Sequence, residues 1–224
     1  MSYRRSDERR QVYPGVEYRS FRAAVLASAL AWLALVACQG VGAPSVPPVQ
    51  IGLQQGDLPA NLMRCPTSGD IGAYLRSPQP NQQPAHDELM SAWQDLQHHG
   101  AARAAVTVYA AQQAACTARL GTGEGVNVTS VVVEFRDDSA AAAAYQRGVL
   151  GFTTPSEDAE VPGMDRGAAT GIGRNAWVLQ RSVAGHALIV GLWARHAVLV
   201  LFVAVDSDPL NARRALAAVD ARIP

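Results

Sequence analysis

Apolar and β-branched residues in the second half of the chain are concentrated in short runs typical of β-strands. The runs predict four strands, over residues 126–136, 176–182, 186–195 and 197–205. The first places Val131, Val133 and Phe135 on one face, and its β-branched residues favour a pleated backbone. Gly185 favours a tight turn between the second and third strands, whereas the turn near His196 has no Gly or Asn to support it.

The apolar run 186–205 also has the length of a transmembrane helix. Such a helix would place Arg195 and His196 at its centre, where a charge costs about 2.5–3.5 kcal/mol on the insertion scale. This cost, together with the many β-branched residues, favours two strands joined by a turn.

The region before the first of these strands has the apolar spacing of helices. A stripe typical of an amphipathic helix predicts a helix over residues 86–98, with Gly100 after its end. The stripe consists of Leu89, Met90, Trp93 and Leu96. Residues 110–120 are alanine-rich and are predicted to be helical, whereas residues 105–109 are also compatible with a strand.

Two more helices are predicted from their capping residues. Asp137, Asp138 and Ser139 offer side-chain oxygens to the first turn of an alanine-rich helix over 140–150. Asp208 and Pro209 occupy the cap and first-turn positions of a last helix, whose apolar residues are Leu216, Val219 and Ile223.

The order of the elements predicts an α+β fold, with N-terminal helices and a mainly antiparallel sheet in β-α-β-β-β-α order. The strand 197–205 is apolar at nearly every position, so both faces of the sheet require cover. The N-terminal helices, a ligand or a partner could supply that cover, and the helices are the most economical choice. A ligand groove is expected at their edge, near the Gly- and Pro-rich loop 151–175.

The first forty residues have the order of an export signal. Six arginines precede an apolar run over residues 23–37, which is shorter than a membrane span. The run ends in Leu35-Val36-Ala37-Cys38, which resembles the lipobox of bacterial lipoproteins. The resemblance implies that residues 1–37 are a lipoprotein signal peptide and that Cys38 carries the lipid anchor, with fatty acids such as palmitate. An uncleaved N-terminal anchor is the alternative.

This signal sequence predicts a protein on the extracytoplasmic face of the cell membrane or cell envelope. Residues 38–56 are rich in Gly and Pro, have no charge before Asp57 and are predicted to be a tether. Residues 57–224 are then expected to form a single α+β extracytoplasmic domain.

The charge balance excludes proteins that bind nucleic acid through a basic surface. The chain has 19 basic residues, all arginine, and 19 acids. Residues 38–224 contain thirteen arginines and sixteen acidic residues, which gives a net charge of −3. This mild acidity disfavours attraction to anionic lipid, so the acyl chains are expected to hold the protein at the membrane.

Three cysteines are present, and Cys38 is assigned to the lipid. In an oxidising compartment, the other two, Cys65 and Cys116, are predicted to form a disulfide. Two buried free thiols are the alternative. Zinc is disfavoured, because neither cysteine belongs to a C-x-x-C pair.

Candidate catalytic side chains are few. Ser182, His186 and Asp206 could form a triad, but this combination arises easily by chance, and no catalytic residue is predicted. The acids of loop 151–175 could bind calcium, yet their spacing does not match an EF-hand and a solvated loop is favoured. The G-x-G at Gly171 precedes a strand instead of following one. Neither a cofactor nor a metal is therefore predicted.

One arrangement in the second half indicates a role. The strand that ends in Glu134-Phe135-Arg136-Asp137-Asp138, followed by an alanine-rich helix, a meander and a closing helix, resembles exported α+β sensor-type lipoprotein domains of high-GC bacteria. The resemblance implies non-catalytic ligand binding or sensing, with a protein partner or a small apolar ligand. A structural accessory subunit of a membrane or envelope complex is the alternative, and an exported hydrolase is the third possibility.

Overall fold

The computed structural model describes residues 46–77, 83–117 and 125–224. The helices are α1 (Pro48–Ile51), α2 (Ile71–Arg76), α3 (Gln83–His98), α4 (Asp138–Arg147) and α5 (Pro209–Asp220). The strands are β1 (Met63–Arg64), β2 (Gly69–Asp70), β3 (Ala101–Ala110), β4 (Asn127–Phe135), β5 (Met164–Arg166), β6 (Ala176–Val183), β7 (His186–Arg195) and β8 (Val198–Val205). Helices combined with a mainly antiparallel sheet confirm the predicted α+β class.

The eight strands form one sheet in the order β1-β3-β4-β8-β7-β6-β5, and β2 also pairs with β3. Every pairing between the described strands is antiparallel. All four predicted strands are present, and so are the predicted helices over 86–98, over 140–150 and after Asp208. Their observed ends differ from the predicted ends by at most three residues. No helix among the described residues has the length and apolar character needed to cross a membrane, and 186–205 forms two strands.

The predicted strand order is incomplete, because it lacks β1, β2, β5 and β3, although residues 105–109 of β3 were compatible with a strand. Residues 101–110 form a ten-residue strand beside β4, in which Val106 lies opposite Val131. The predicted helix over 110–120 is wrong where it is described, since a short 3-10 turn covers Gln113–Thr117. Alanine favours helices in isolation, but residues 101–110 form a strand because they are buried beside β4.

Both faces of the sheet are covered, as the apolar strand 198–205 requires. On one face, α3 and α4 pack over side chains such as Val133, Leu192 and Leu201. On the other, α5 and residues 46–62 cover Val132 and Phe202 together with their neighbours. The result is three layers with the sheet in the middle.

Residues 46–62, which we call the strap, correct the predicted domain boundary. The tether was expected to extend to residue 56, but Ile51 and Leu53 are 1% exposed in the core, and the folded domain begins ahead of residue 57. The backbone N–H of Leu53 donates to Ser130 Oγ at 3.0 Å. Gly and Pro content indicated a tether, whereas these apolar side chains bind the sheet. Residues 38–45 lie outside the described part of the chain.

One arginine holds the strap against the C-terminal end of the domain. The guanidinium of Arg222 makes two bonds to the carboxylate of Asp57, Nη1–Oδ1 at 3.0 Å and Nη2–Oδ2 at 2.6 Å. It also donates to the carbonyls of Ile51 and Gly52, at 3.1 and 3.0 Å. This bidentate geometry is the strongest form of an arginine–carboxylate pair.

Gly191 on β7 makes room for a side chain of α5. A Cβ at Gly191 would lie 2.7 Å from Leu216 Cδ1, so a larger residue there would displace that leucine. The predicted cap of α5 is confirmed, because Asp208 Oδ1 accepts the N–H of Asn211 at 2.9 Å.

The turn between β7 and β8 forms although it lacks Gly and Asn. His196 in this turn has φ 51°, a left-handed conformation that strains an ordinary side chain. Its nearest acid, Asp138, is 3.9 Å away and both side chains are mostly exposed, so the pair contributes little.

We therefore expect His196→Gly to raise the free energy of unfolding by roughly 0.5–1 kcal/mol, because relief of strain exceeds the added entropy of the unfolded chain. Urea unfolding measures the change. Ala197→Gly, at the next position, should lower stability instead. A loss of stability in the His196 variant would contradict the strain that we assign to this turn.

Candidate functional site

Cys65 and Cys116 form the predicted disulfide, and the free-thiol alternative is wrong. Their Cα atoms are 5.4 Å apart, and 51 positions separate them in sequence. Both are buried. The bridge joins the segment after β1 to the 3-10 turn Gln113–Thr117, which follows β3. The backbone N–H of Cys65 also donates to Val108 O of β3 at 2.8 Å. Cys38, the predicted lipid attachment point, lies outside the described residues.

His186 and Asp206 are in contact where β7 begins and β8 ends. His186 Nδ1 is 2.6 Å from Asp206 Oδ2, and Asp206 Oδ1 accepts the backbone N–H of Ala187 at 2.9 Å. The hydrogen bond from His186, followed by that from Ala187, lowers the pKa of the Asp206 carboxyl. Such a carboxylate favours the imidazole tautomer with its proton on Nδ1, which leaves Nε2 as an acceptor.

Ser182 does not complete a triad with this pair. In the register of β6 and β7, Ser182 lies opposite Ala187 and His186 lies opposite Val183. Successive residues of a strand point to opposite faces, so the side chains of Ser182 and His186 are on different faces of the sheet. The His186–Asp206 pair therefore joins two strand ends, and Ser182 is not placed as its nucleophile.

The loop 151–175 is held by arginine side chains. Arg166 donates to the carbonyls of Ser156 and Ala159, at 2.6 and 2.7 Å. Gly163 comes so close to β6 that a Cβ there would lie 2.3 Å from Gln180 O, and its φ of 78° also requires glycine. The loop contains β5 and a 3-10 turn, Gly167–Thr170, and is more ordered than its composition indicates.

The acids of this loop do not converge. Asp165 pairs with Arg213 at 2.7 Å. Within the described ranges 46–77, 83–117 and 125–224, no three His, Cys, Asp or Glu side chains are grouped as a metal site would require. The calcium possibility therefore has no geometric support from these residues.

A small apolar cavity lies between α3 and the sheet. Its volume is about 10 Å³, and Trp93, Leu89 and Leu150 are among the side chains that line it. A space of this size is close to that of one water molecule. It lies near the start of loop 151–175, where a ligand groove was expected, but a small apolar ligand does not fit in it.

A buried carboxyl terminates α5. Asp220 lies 3.2 Å from Arg195 Nη1, through its Oδ2 atom. Burial raises the pKa of Asp220, and the nearby guanidinium of Arg195 only partly opposes this effect. Sequence reasoning missed this pair, because 25 positions separate the two residues.

A raised pKa means that the folded state binds the Asp220 proton more tightly than the unfolded state does. The stabilisation is present below the ordinary pKa of aspartate and is lost as the pH rises through the raised value. Asp220→Asn should therefore be more stable than the wild type at pH 7 and equally stable near pH 3. Thermal unfolding across this range tests the effect, with Asp158→Asn as an exposed control. Greater stability of the wild type at pH 7 would contradict it.

No protein-family model matches the chain, and the comparison with curated proteins also finds no match. The proposal of function therefore rests on the chemistry of the chain's own residues.

Proposed function

We propose that the chain is an exported, lipid-anchored protein whose domain binds a partner at the extracytoplasmic face of the membrane without catalysis. The observation that carries the proposal is that two of the three cysteines form a disulfide and the third follows a lipobox-like sequence. The disulfide occupies Cys65 and Cys116. Cys38 is the one left for a lipid, and it follows Leu35-Val36-Ala37 at the end of an apolar run.

The disulfide supports export independently of the N-terminal segment. Protein disulfides persist in oxidising compartments and are rare where thioredoxin and glutathione keep thiols reduced. The bridge is buried and fastens an edge of the sheet, as a structural disulfide does. A chain that depends on such a bridge is expected to fold outside the cytoplasm.

Few residues separate the proposed anchor from the strap. Val46, where the described strap begins, is eight positions after Cys38. Even when fully extended, eight residues span at most about 29 Å. The folded domain would then lie near the bilayer surface, and two or three acyl chains on Cys38 would hold it there stably.

Binding is favoured over catalysis by the position of the polar side chains. The His186–Asp206 pair has Ser182 on the opposite face of the sheet. The cavity beneath α3 holds no more than about one water. A protein that binds the domain surface is therefore a better candidate than a small molecule enclosed in this described cavity.

Cys38→Ala tests the proposal in cells given labelled palmitate. The wild type should incorporate the label and lose residues 1–37, whereas the variant should remain an unlabelled precursor. Ser45→Ala, which leaves the cysteine in place, should behave as the wild type does. Equal labelling of the Cys38 variant and the wild type would sink the proposal.

A further inference from the structure

The strap is the first described segment after the proposed lipid anchor, and it lies outside the strand ladders of the sheet. Its residues form a short helix, α1, and a 3-10 turn, Gln55–Asp57, before β1 begins at Met63. Strap residues therefore make none of the ladder hydrogen bonds between the described strands. A strap that leaves the sheet breaks none of those bonds.

Two side chains supply the described hydrogen bonds that hold the strap to the rest of the domain. Ser130 Oγ accepts the N–H of Leu53, and the guanidinium of Arg222 binds Asp57 and two strap carbonyls. Apolar burial adds to these bonds, because Ile51 and Leu53 are almost fully buried. The attachment is therefore firm at rest, and most of its polar part depends on one guanidinium.

The sheet surface beneath the strap contains two buried hydroxyl groups. Thr107 and Ser130 lie opposite each other on β3 and β4, and a Cβ at Gly52 would lie 3.1 and 3.2 Å from their hydroxyl oxygens. Thr107 is 1% exposed, and its Oγ1 has no hydrogen-bond partner within the described residues. A buried hydroxyl without a partner costs free energy, which water regains as a partner once the strap leaves. The docked strap therefore satisfies this surface incompletely.

A covalent stop lies directly behind the strap. Cys65 comes three positions after Leu62 and is joined to Cys116. A load that enters the chain on its N-terminal side passes through the strap and β1 and then reaches this disulfide. From there the load crosses to Cys116, so residues 66–115 are bypassed. The disulfide therefore limits what such a load unravels to the residues before Cys65.

We propose that the strap is a reserve of tether, which a pull between the membrane and the domain releases as far as Cys65. The inference rests on the lipid anchor proposed above, because that anchor makes the strap the first described segment to bear the load. With the strap docked, the chain enters the domain at Val46, at most about 29 Å from Cys38. After release it enters at Cys65, twenty-seven positions after Cys38, and the limit rises to about 97 Å. A bound partner that pulls on the domain then moves it away from the membrane, while β3 to β8 keep their pairing.

Single-molecule pulling on the lipid-anchored protein tests this reserve. Full-length chain purified from membranes is incorporated into a supported phosphatidylcholine bilayer. A biotin-acceptor peptide inserted between Ala184 and Gly185, at the exposed tip of the β6–β7 hairpin, attaches the domain to the probe. The first event should lengthen the chain by no more than about 68 Å, the extended length of residues 46–64. Unfolding of the domain or loss of the lipid should follow at a higher force.

Arg222→Ala identifies the contact that the first event breaks. This variant should lower the force of the first event, because the guanidinium that binds Asp57 and two strap carbonyls is gone. The force of the later event should not change, since the strap has already left by then. Arg214→Ala, at an exposed position on α5, should leave both forces unchanged. Reduction of the disulfide should lengthen the extension beyond about 68 Å, because the covalent stop is removed.

The outcomes separate this inference from the anchor. A trace without any extension before the final event overturns the reserve, as does an extension well beyond about 68 Å while the disulfide is intact. Equal first-event forces in the Arg222 and Arg214 variants overturn the role of the Arg222 guanidinium in holding the strap. Failure of the bilayer to retain the wild type overturns the anchor, and the reserve with it.

Discussion

Replacement of Cys65 and Cys116 by serine is expected to lower the free energy of unfolding by about 4 kcal/mol. The bridge closes a loop of 51 positions, and in the chain-entropy model a loop of this length confers about that much stability. Urea unfolding of the purified chain, oxidised, reduced and doubly substituted, measures the effect. The reduced wild type and the double variant should unfold at the same urea concentration, well below the oxidised wild type.

The control for this experiment is Cys38→Ala, which removes the third cysteine and leaves the bridge intact. Its unfolding midpoint should equal that of the oxidised wild type. If the double serine variant also unfolds at the wild-type midpoint, the disulfide does not stabilise the domain and its structural role is wrong.

Arg222→Ala is expected to lower the free energy of unfolding by about 3 kcal/mol, because it leaves a buried carboxylate without its charged partner and with the Gln54 N–H as a remaining donor. The side chain of Asp57 is 9% exposed and makes both of its Arg222 bonds within 3.0 Å. The carbonyl of Ile51 loses the guanidinium donor as well, and the carbonyl of Gly52 keeps only the side-chain amide of Gln54. Release of the strap should accompany the loss, and amide hydrogen exchange at Leu53 should accelerate.

Arg214→Ala is the matched control, because Arg214 is exposed on α5, which ends two residues before Arg222. Its effect should be within about 0.5 kcal/mol of zero. Arg222→Lys should fall between the two, since an ammonium cannot reproduce the two-pronged contact with Asp57. Equal stability of the Arg222 and Arg214 alanine variants would show that the strap is held by its apolar residues alone.

The parts of the fold that could be predicted are those whose signals are local. β4 and β6 to β8 are marked by β-branched runs, and α5 is marked by Asp208 and Pro209 at its start. The disulfide was predictable because one of the three cysteines is assigned to the lipid, and the remaining two can pair in only one way. In each case, the residues that decide the structure are adjacent or few in number.

The parts that were missed depend on distant partners. β3 is alanine-rich, so the sequence left residues 105–109 open between helix and strand, and pairing with β4 makes the segment a strand. β1, β2 and β5 have two or three residues each, too few for a periodic pattern. The Arg222–Asp57 pair joins residues 165 positions apart, and nothing in either neighbourhood indicates it. The strap was taken for a tether because its Gly and Pro content hid the apolar anchors Ile51 and Leu53.

The intact mass of the chain isolated from bacterial membranes tests the central claim most directly, because one spectrum reports the fate of all three cysteines. The account predicts a chain that begins at Cys38 and carries diacylglycerol on that residue. It also predicts no thiol that reacts with iodoacetamide until a reductant is added, and two such thiols afterwards. A chain that keeps residues 1–37 and has alkylatable cysteines without reduction would contradict both the anchor and the export on which the account depends.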